Sequence, residues 1–261
     1  MTITESGVIR TVEDGVLRVT IDRPASMNAV RIETLDAIAN AFEDHFLDSD
    51  VRVAVLSGAG RAFCAGADLA GLDLSAEPSA ETIDAANRVV DSVRAFPRPV
   101  IGAVRGPAAG VGVSLALACD LTVISESSYF LLAFTRIGLM PDGGATALVA
   151  ASVGRARAMA LALLAERLEA ADAFRAGLVA KMFADDEFEA EVESLAKRLA
   201  AGPGDAYRRT KGAINDATLG QLAAAFERER AGQLELLVAP DFAEGVDAFE
   251  NKRPARFGGR S

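Results

Sequence analysis

The chain reads as an α/β protein that ends in a helical region. Three observations carry this. Over residues 1–200, short apolar runs alternate with longer stretches of helical spacing, the pattern of strands joined by helical crossovers. The N-terminal part holds a hairpin pattern around Asp14-Gly15. From Glu187 onward the spacing is almost entirely helical, with Gly202-Pro203-Gly204 as a boundary. Residues 1–200 are therefore expected to form the core and 201–261 a helical appendage. Half of the 261 residues are apolar, enough for one sizeable core.

In chain order, Val8 to Glu13 and Gly15 to Ile21 alternate apolar and polar residues and predict two antiparallel strands. Asp22-Arg23-Pro24 ends the second. A helix follows Asn28-Ala29, with Val30, Leu35, Ile38, Ala41, Phe42 and Phe46 in helical phase. Val51 to Ser57 is the next strand. Leu72 to Ala80 is loose and acidic, and two readings stand: a mobile segment over a substrate site, or an ordinary solvated loop. Glu81 to Ala95 is an amphipathic helix stopped by Phe96-Pro97-Arg98-Pro99. Strands are predicted at Val100 to Val104, Leu121 to Ile124, Tyr129 to Phe134 and Leu178 to Phe183. Helices are predicted over Leu115 to Asp120, Arg155 to Glu166 and Glu169 to Ala176, then at about 187–200, 204–216, 218–237 and 241–250. Strands separated by helices imply right-handed crossovers and parallel pairing.

Charge and composition exclude several classes. The net charge of −10 disfavours nucleic acid and anionic membranes as partners. Cys64 and Cys119 sit in apolar surroundings without metal-ligand spacing, as free thiols of a reducing compartment do. The first residues include acidic Glu5 and no long apolar run, and Arg105 and Pro107 break the longest apolar region. A soluble cytoplasmic protein with no membrane span is the expectation. His45, the only histidine, lies on a charged helix beside Asp44; one histidine leaves little room for a Ser-His-Asp triad or a histidine-rich metal site. Gly58-Ala59-Gly60 and Gly110-Val111-Gly112 lack the third glycine of a dinucleotide fingerprint, because Phe63 and Leu115 stand there. Gly112-Val113-Ser114-Leu115-Ala116 is not a nucleophile elbow.

Two Gly-rich turns organise the chemistry. Each follows an apolar strand: Gly58 to Leu69 after the strand at Val51, and Gly106 to Ser114 after the strand at Val100. Backbone N–H groups at such strand-to-helix turns favour negative charge. Two donors, one from each turn, suit an oxyanion hole for the enolate of a thioester. The alternative is tight strand–helix packing that merely needs glycine.

Arg61-Ala62-Phe63-Cys64-Ala65-Gly66-Ala67-Asp68-Leu69 resembles the oxyanion motif of the enoyl-CoA hydratase/isomerase (crotonase) superfamily. Gly106 to Asp120 resembles its second half, Ile137 to Gly144 its catalytic loop, and Asp241 to Phe257 its C-terminal tail. The match runs through nearly the whole chain, and in motif it stands nearest the phenylacetate-pathway type of enoyl-CoA isomerase. The resemblance implies a spiral of ββα repeats followed by a C-terminal helical region that packs subunits into trimers, often paired into hexamers. It implies an acyl-CoA thioester substrate and no separate cofactor, because coenzyme A is part of that substrate.

The resemblance also implies site residues. The amides of Ala67 and Val111 are the oxyanion donors; the family often has glycine where Val111 stands, and only the amide is used. Contacts to coenzyme A carry over to the main chain near Met27, to Ala65, Gly66, Ala67, Asp68 and Leu69, and to Gly110. Phe249 and Lys252 match tail residues that reach a neighbouring subunit's ligand, with an exposed amphipathic end as the equal alternative. Arg23, Arg61 and Lys252 are candidate cations for its phosphates. Hydratases of the family carry two glutamates at the positions of Ser114 and Phe134, so both carboxylates are missing here. Asp142, after Pro141, matches the base of the isomerases; Pro-Asp-Gly is otherwise a good turn. Its neighbours Phe134, Leu139 and Met140 are apolar, which predicts a raised pKa. Asp68 is expected to cap a helix, and Asp120 to be a buried hydrogen-bonded residue. The favoured activity is a double-bond isomerase, with a weak or broad hydratase and an inactive acyl-CoA-binding subunit as alternatives.

Overall fold

The computed structural model describes residues 2–70 and 77–258. β1 (Thr2–Glu5), β2 (Val8–Glu13) and β3 (Val16–Ile21) form an antiparallel meander. The turn between β2 and β3 is Asp14-Gly15, both at positive φ, as a tight hairpin requires. β1 was not expected from the sequence, since its exposed edge residues show no apolar alternation. α1 (Ile32–Asp44) leads to β4 (Val53–Gly58), which pairs parallel to β3. α2 (Glu81–Ala95), β5 (Val100–Val104), β6 (Pro107–Ala109), α3 (Val111–Leu117) and β7 (Leu121–Ser125) follow. Residues 72–76 of the segment expected to be loose lie outside the described residues; 77–80 run irregularly into α2.

Two expectations are corrected downstream. β8 (Tyr129–Leu131) stops three residues earlier than expected, and Ala133–Ile137 forms a 3-10 turn that carries Phe134. α4 (Ala145–Leu164) begins ten residues before the expected helix start at Arg155. Gly154, with φ 75 and ψ 163, kinks it at the point where the sequence pattern changes phase. The order continues with β9 (Leu168–Glu169), α5 (Ala170–Arg175), β10 (Lys181–Phe183), α6 (Phe188–Ala200), α7 (Gly204–Thr218), α8 (Leu222–Leu237) and α9 (Pro240–Glu250).

The main sheet runs β1-β2-β3-β4-β5-β7-β10, parallel from β3 to β10, and β6-β8-β9 form a second small sheet. A parallel sheet needs cover on both faces, and the strand residues divide accordingly. Ala54, Leu56, Val100 and Val104 face the core made with α1, α2 and α3. Val53, Val55, Ile101 and Ala103 face Phe188, Val192, Leu195 and Leu199 of α6.

α4 departs from the expectation that no helix could span a membrane: by length and composition it is apolar enough. Its first half packs into the core through Ala145, Leu148 and Val149, while Arg155 and Arg157 interrupt the second half beyond the Gly154 kink. Met159, Leu163 and Leu164 are exposed there, with Phe174 of α5 nearby in sequence.

Candidate active site

The two Gly-rich turns are tied to each other by main-chain bonds. Cys64 and Ala108 form a parallel bridge: the Cys64 and Phe63 amides donate to the Pro107 carbonyl, and the Ala109 amide donates to the Cys64 carbonyl at 2.8 Å. That register carries three residues onward to Ala67 on one chain and Val111 on the other. Gly66 and Gly110 abut between them; a Cβ on Gly110 would lie 3.5 Å from Gly66 Cα, and a Cβ on Gly66 would lie 3.3 Å from the Ala109 carbonyl. Both glycines are at positive φ, 108 and 53, so a side chain would be strained as well as crowded.

Among the described residues, the amides that follow these glycines donate no main-chain bond. Val30 pairs with the Ala67 strand edge by donating to the Gly66 carbonyl and accepting from the Asp68 amide, which turns the Ala67 N–H to the opposite side. Val111 is the first residue of α3, where an N–H has no intrahelical acceptor. Ala67 is exposed and Val111 is buried. Paired N–H groups on adjacent turns, one of them at a helix N-terminus, are the kind of donors that a developing oxyanion requires.

The first turn is held by Asn28, to which the sequence reading gave no role, and by residues that it did single out. Asn28, fully buried, accepts from the Arg23 amide and donates to the carbonyls of Ala59 and Ala62. Met27 and Asn28 are both at positive φ, and the Met27 carbonyl accepts from the Ala65 amide at 3.1 Å. Asp68, expected to cap a helix, is followed almost at once by residues 71–76, which lie outside the described residues. It binds Arg23 at 2.9 Å and Arg31 at 2.7 Å, and its other oxygen accepts from the Ala70 amide in a tight turn. The Arg23 bond and burial act in opposite senses on its carboxyl, and the bond prevails, so its pKa lies below the ordinary value. Arg23 is thereby committed to Asp68 and the Ala29 carbonyl rather than standing free for a phosphate. Leu69 is half-buried beside it.

Asp142 lies on the loop between the 3-10 turn and α4. The loop is packed on the first turn of α3: a Cβ on Gly143 would meet Ser114 Cβ at 3.0 Å and Val111 Cγ2 at 3.4 Å. The buried Ser114 hydroxyl donates to the Asp142 carbonyl at 2.8 Å. Phe134 is buried, and its carbonyl accepts from the Leu139 amide, which closes the loop from the other end. Burial pushes the Asp142 carboxyl up to about 7, the Gln233 amide opposes this, and the nearby Glu229 carboxyl adds to it. Ala67, Gly110, Val111, Ser114, Phe134 and Asp142 thus belong to one continuous packing unit. Among the described residues, Phe249 and Lys252 do not join it. Phe249 is exposed and lines a cleft with Arg136, Ile137, Arg253 and Phe257, and Lys252 is exposed just beyond α9.

Two site residues went unread in the sequence. α8 buries Glu229 and Gln233 on the stripe that begins with Leu222, Ala225 and Phe226. Polar residues at helical spacing on an apolar face were the signal that would have found them. Glu229 accepts from the amides of Gly144 and Thr146 at 2.7 and 2.9 Å and from the Thr146 hydroxyl. It supplies the N-terminal cap that α4 lacks from its own sequence, a favourable place for a carboxylate. Asp120, as expected, is structural: it accepts from the Val100 amide and from Lys211. Beside the loop, an apolar cleft of about 180 Å³ is lined by Leu132, Pro141, Ala145, Val149, Met159 and Ala162 among others.

Comparison with known proteins agrees with this arrangement. The family model for enoyl-CoA hydratase/isomerase matches residues 11–260. A crystal structure of an enoyl-CoA hydratase from Mycobacterium avium subsp. paratuberculosis superposes with a TM-score of 0.92 at 49% identity, covering 98% of this chain and all of that one. A probable enoyl-CoA hydratase of Rhodobacter capsulatus is 40% identical over 95% of this chain and 96% of its own length. The 1,2-epoxyphenylacetyl-CoA isomerase of Escherichia coli is 36% identical over 97% of this chain and 98% of its own. Two turns joined by one backbone seam, a carboxyl-bearing loop packed on the second of them and matches that run end to end lead to one conclusion: the chain belongs to the enoyl-CoA hydratase/isomerase family, within the crotonase superfamily.

Proposed function

We propose that the protein is an acyl-CoA double-bond isomerase in which the Ala67 and Val111 amides hold the thioester oxygen and Asp142 moves the proton. The base takes a proton from C2 of a 3-enoyl thioester, and the electron pair runs onto the carbonyl oxygen as a dienolate. Return of that proton at C4 shifts the double bond to C2–C3. One such donor amide contributes about 3 kcal/mol to lowering the barrier.

The observation that carries the reading is that, among the described residues, Asp142 is the one carboxyl of this loop and of the buried faces of the helices packed on it that is not committed to main-chain amides. Ser114 and Phe134 stand where hydratases of the family have glutamates, and neither can hold and deprotonate a water. Glu229 is near, but all its described bonds go to the start of α4. A carboxyl pushed up to about 7 is matched to reversible proton transfer near neutral pH. The apolar cleft beside Pro141 and the apolar loop suit a water-poor site that returns the same proton. The name of the Escherichia coli relative, an isomerase of an epoxide thioester, supports an isomerase only as a class, and the hydratase names of other relatives make hydration the competing activity.

Coenzyme A would enter as part of the substrate along Met27 and Ala65 to Leu69. We further propose that residues 201–261 form the oligomerisation region of a soluble cytoplasmic trimer or dimer of trimers. The exposed apolar residues Ile214, Val238, Phe249 and Phe257 of that region support its burial against another copy. Phe249 and Lys252 would then reach a neighbour's ligand.

The test is to supply 2-enoyl-CoA and 3-enoyl-CoA separately to the wild type and to Asp142→Asn. Isomerisation of the 3-enoyl substrate that exceeds hydration of the 2-enoyl one, and that collapses in Asp142→Asn while acyl-CoA affinity holds, is expected. Faster hydration assigns a hydratase. Tight acyl-CoA binding with neither activity assigns a binding subunit.

A further inference from the structure

α8 packs on the loop through Gly232: a Cβ there would meet the Met140 sulfur and displace that side chain. That contact places the next residue, Gln233, over the loop. Its Nε2 donates to Asp142 Oδ2 at 2.7 Å, and its Oε1 accepts from the Met140 amide at 3.4 Å. The side chain is 2% exposed. Its amide has one workable orientation, because a flip would set Nε2 against the Met140 N–H and Oε1 against the carboxylate. One helical turn earlier, Glu229 holds the other end of the loop at Gly144 and Thr146.

We infer that Gln233 is a positioning residue that occupies Oδ2 of Asp142 and fixes the carboxyl plane, so that Oδ1 is the oxygen that takes and returns the substrate proton. The inference deepens the isomerase reading, since it assigns how the proposed base is aimed. A carboxyl free to rotate would present either oxygen and would lose proton fidelity between C2 and C4. Gln233 reads residues 140 and 142 at once, so it also couples the carboxyl to the loop backbone. The device is carried by a helix more than 90 residues away in sequence.

The charged surroundings of Asp142 are simple among the described residues. α8 contributes Glu229, whose carboxyl raises the Asp142 pKa, and Arg228, which acts on Glu229. Arg230 is turned outward to Asp84 of α2. Arg136, on the 3-10 turn, is spent on the Ala165 carbonyl. α3 contributes the uncharged Ser114, and the start of α4 the uncharged Thr146. The Gln233 amide is the neighbour that favours the ionised carboxyl.

Gln233→Leu and Gln233→Glu test this, with the Asp142 carboxyl followed by ¹³C NMR of aspartate-labelled protein and its signal identified from Asp142→Asn. Gln233→Leu removes the donor, and the Asp142 titration is expected to move up by about one pH unit. The acid limb of kcat/KM should move with it. The value of kcat for 3-enoyl-CoA should fall at least about tenfold, with KM within about twofold. Gln233→Glu keeps shape and volume but opposes charge to charge, and it should shift the titration further, so the inference stays testable if the leucine variant does not fold. An Asp142 titration unchanged in a folded variant overturns the inference, as does a loss of melting temperature with an unmoved pH profile. An active Asp142→Asn would reject the isomerase mechanism, while the carboxyl titration would still report whether Gln233 holds Asp142.

Discussion

Asp142→Asn should cost activity and add stability, and the stability gain should depend on pH. The Asp142 carboxyl is raised from an ordinary value of 3.8 to about 7, mainly by burial. Well below pH 3.8 the group is protonated in both folded and unfolded chains and costs nothing. As pH rises from 4 to 7 the unfolded chain ionises while the folded chain retains its proton, so folding becomes progressively less favourable. Above 7 both forms are ionised and the cost is constant. A displacement of about three pH units corresponds to about 4 kcal/mol at pH 8 and about 2 kcal/mol at pH 5. Asparagine does not ionise, and its carbonyl can still accept the Gln233 amide. Urea unfolding of both proteins at pH 5 and pH 8, with subunit concentration held fixed, measures the difference. The variant should be more stable at both values, with a margin about 2 kcal/mol larger at pH 8. Equal stabilities at pH 8, or a margin that does not change with pH, would refute the claim that Asp142 is held in a water-poor site against its own ionisation.

Two further outcomes follow from the turns. Gly112→Ala would set a Cβ 2.5 Å from the Cys64 carbonyl oxygen, in the backbone seam that joins the two turns. Thermal unfolding should show a loss of about 1–3 kcal/mol, with acyl-CoA turnover falling more than that loss explains. The thiols of Cys64 and Cys119 are buried, and burial pushes Cys64 up to about 12 and Cys119 higher still. Neither should react with a thiol reagent at pH 8 in the folded protein, and both should react after denaturation; rapid labelling of the native state would contradict the packing described here.

Local chemistry made much of the fold readable. The Asp14-Gly15 hairpin, the apolar strands at Val53 and Val100, and the helix over Glu81–Ala95 each follow from a turn signal or a period within a dozen residues. Where two local signals competed, the reading failed. Tyr129 to Phe134 is apolar enough for a strand, but the chain turns at Leu132 to deliver Phe134 into the core. α4 was read short because Gly154 breaks its phase and because its N-terminal cap comes from another helix. Asp68 also carries a role that the expectation of a cap did not include. Its partners, Arg23 and Arg31, lie about 40 residues back and had no local mark.

The sequence by itself determined the family, the α/β order of elements and the position of the two turns, because glycine spacing and apolar periodicity are properties of neighbouring residues. It also singled out one carboxyl in an apolar loop. Only the tertiary structure decided what surrounds that carboxyl. The bridge between Cys64 and Ala108 brings residues 67 and 111 into register, and α8 sends Glu229 and Gln233 across 85 and 91 residues of chain to cap the loop and hold Asp142. The physical reason is that a buried polar side chain is specified by the donors and acceptors that meet it in space, and these leave no spacing rule in the chain.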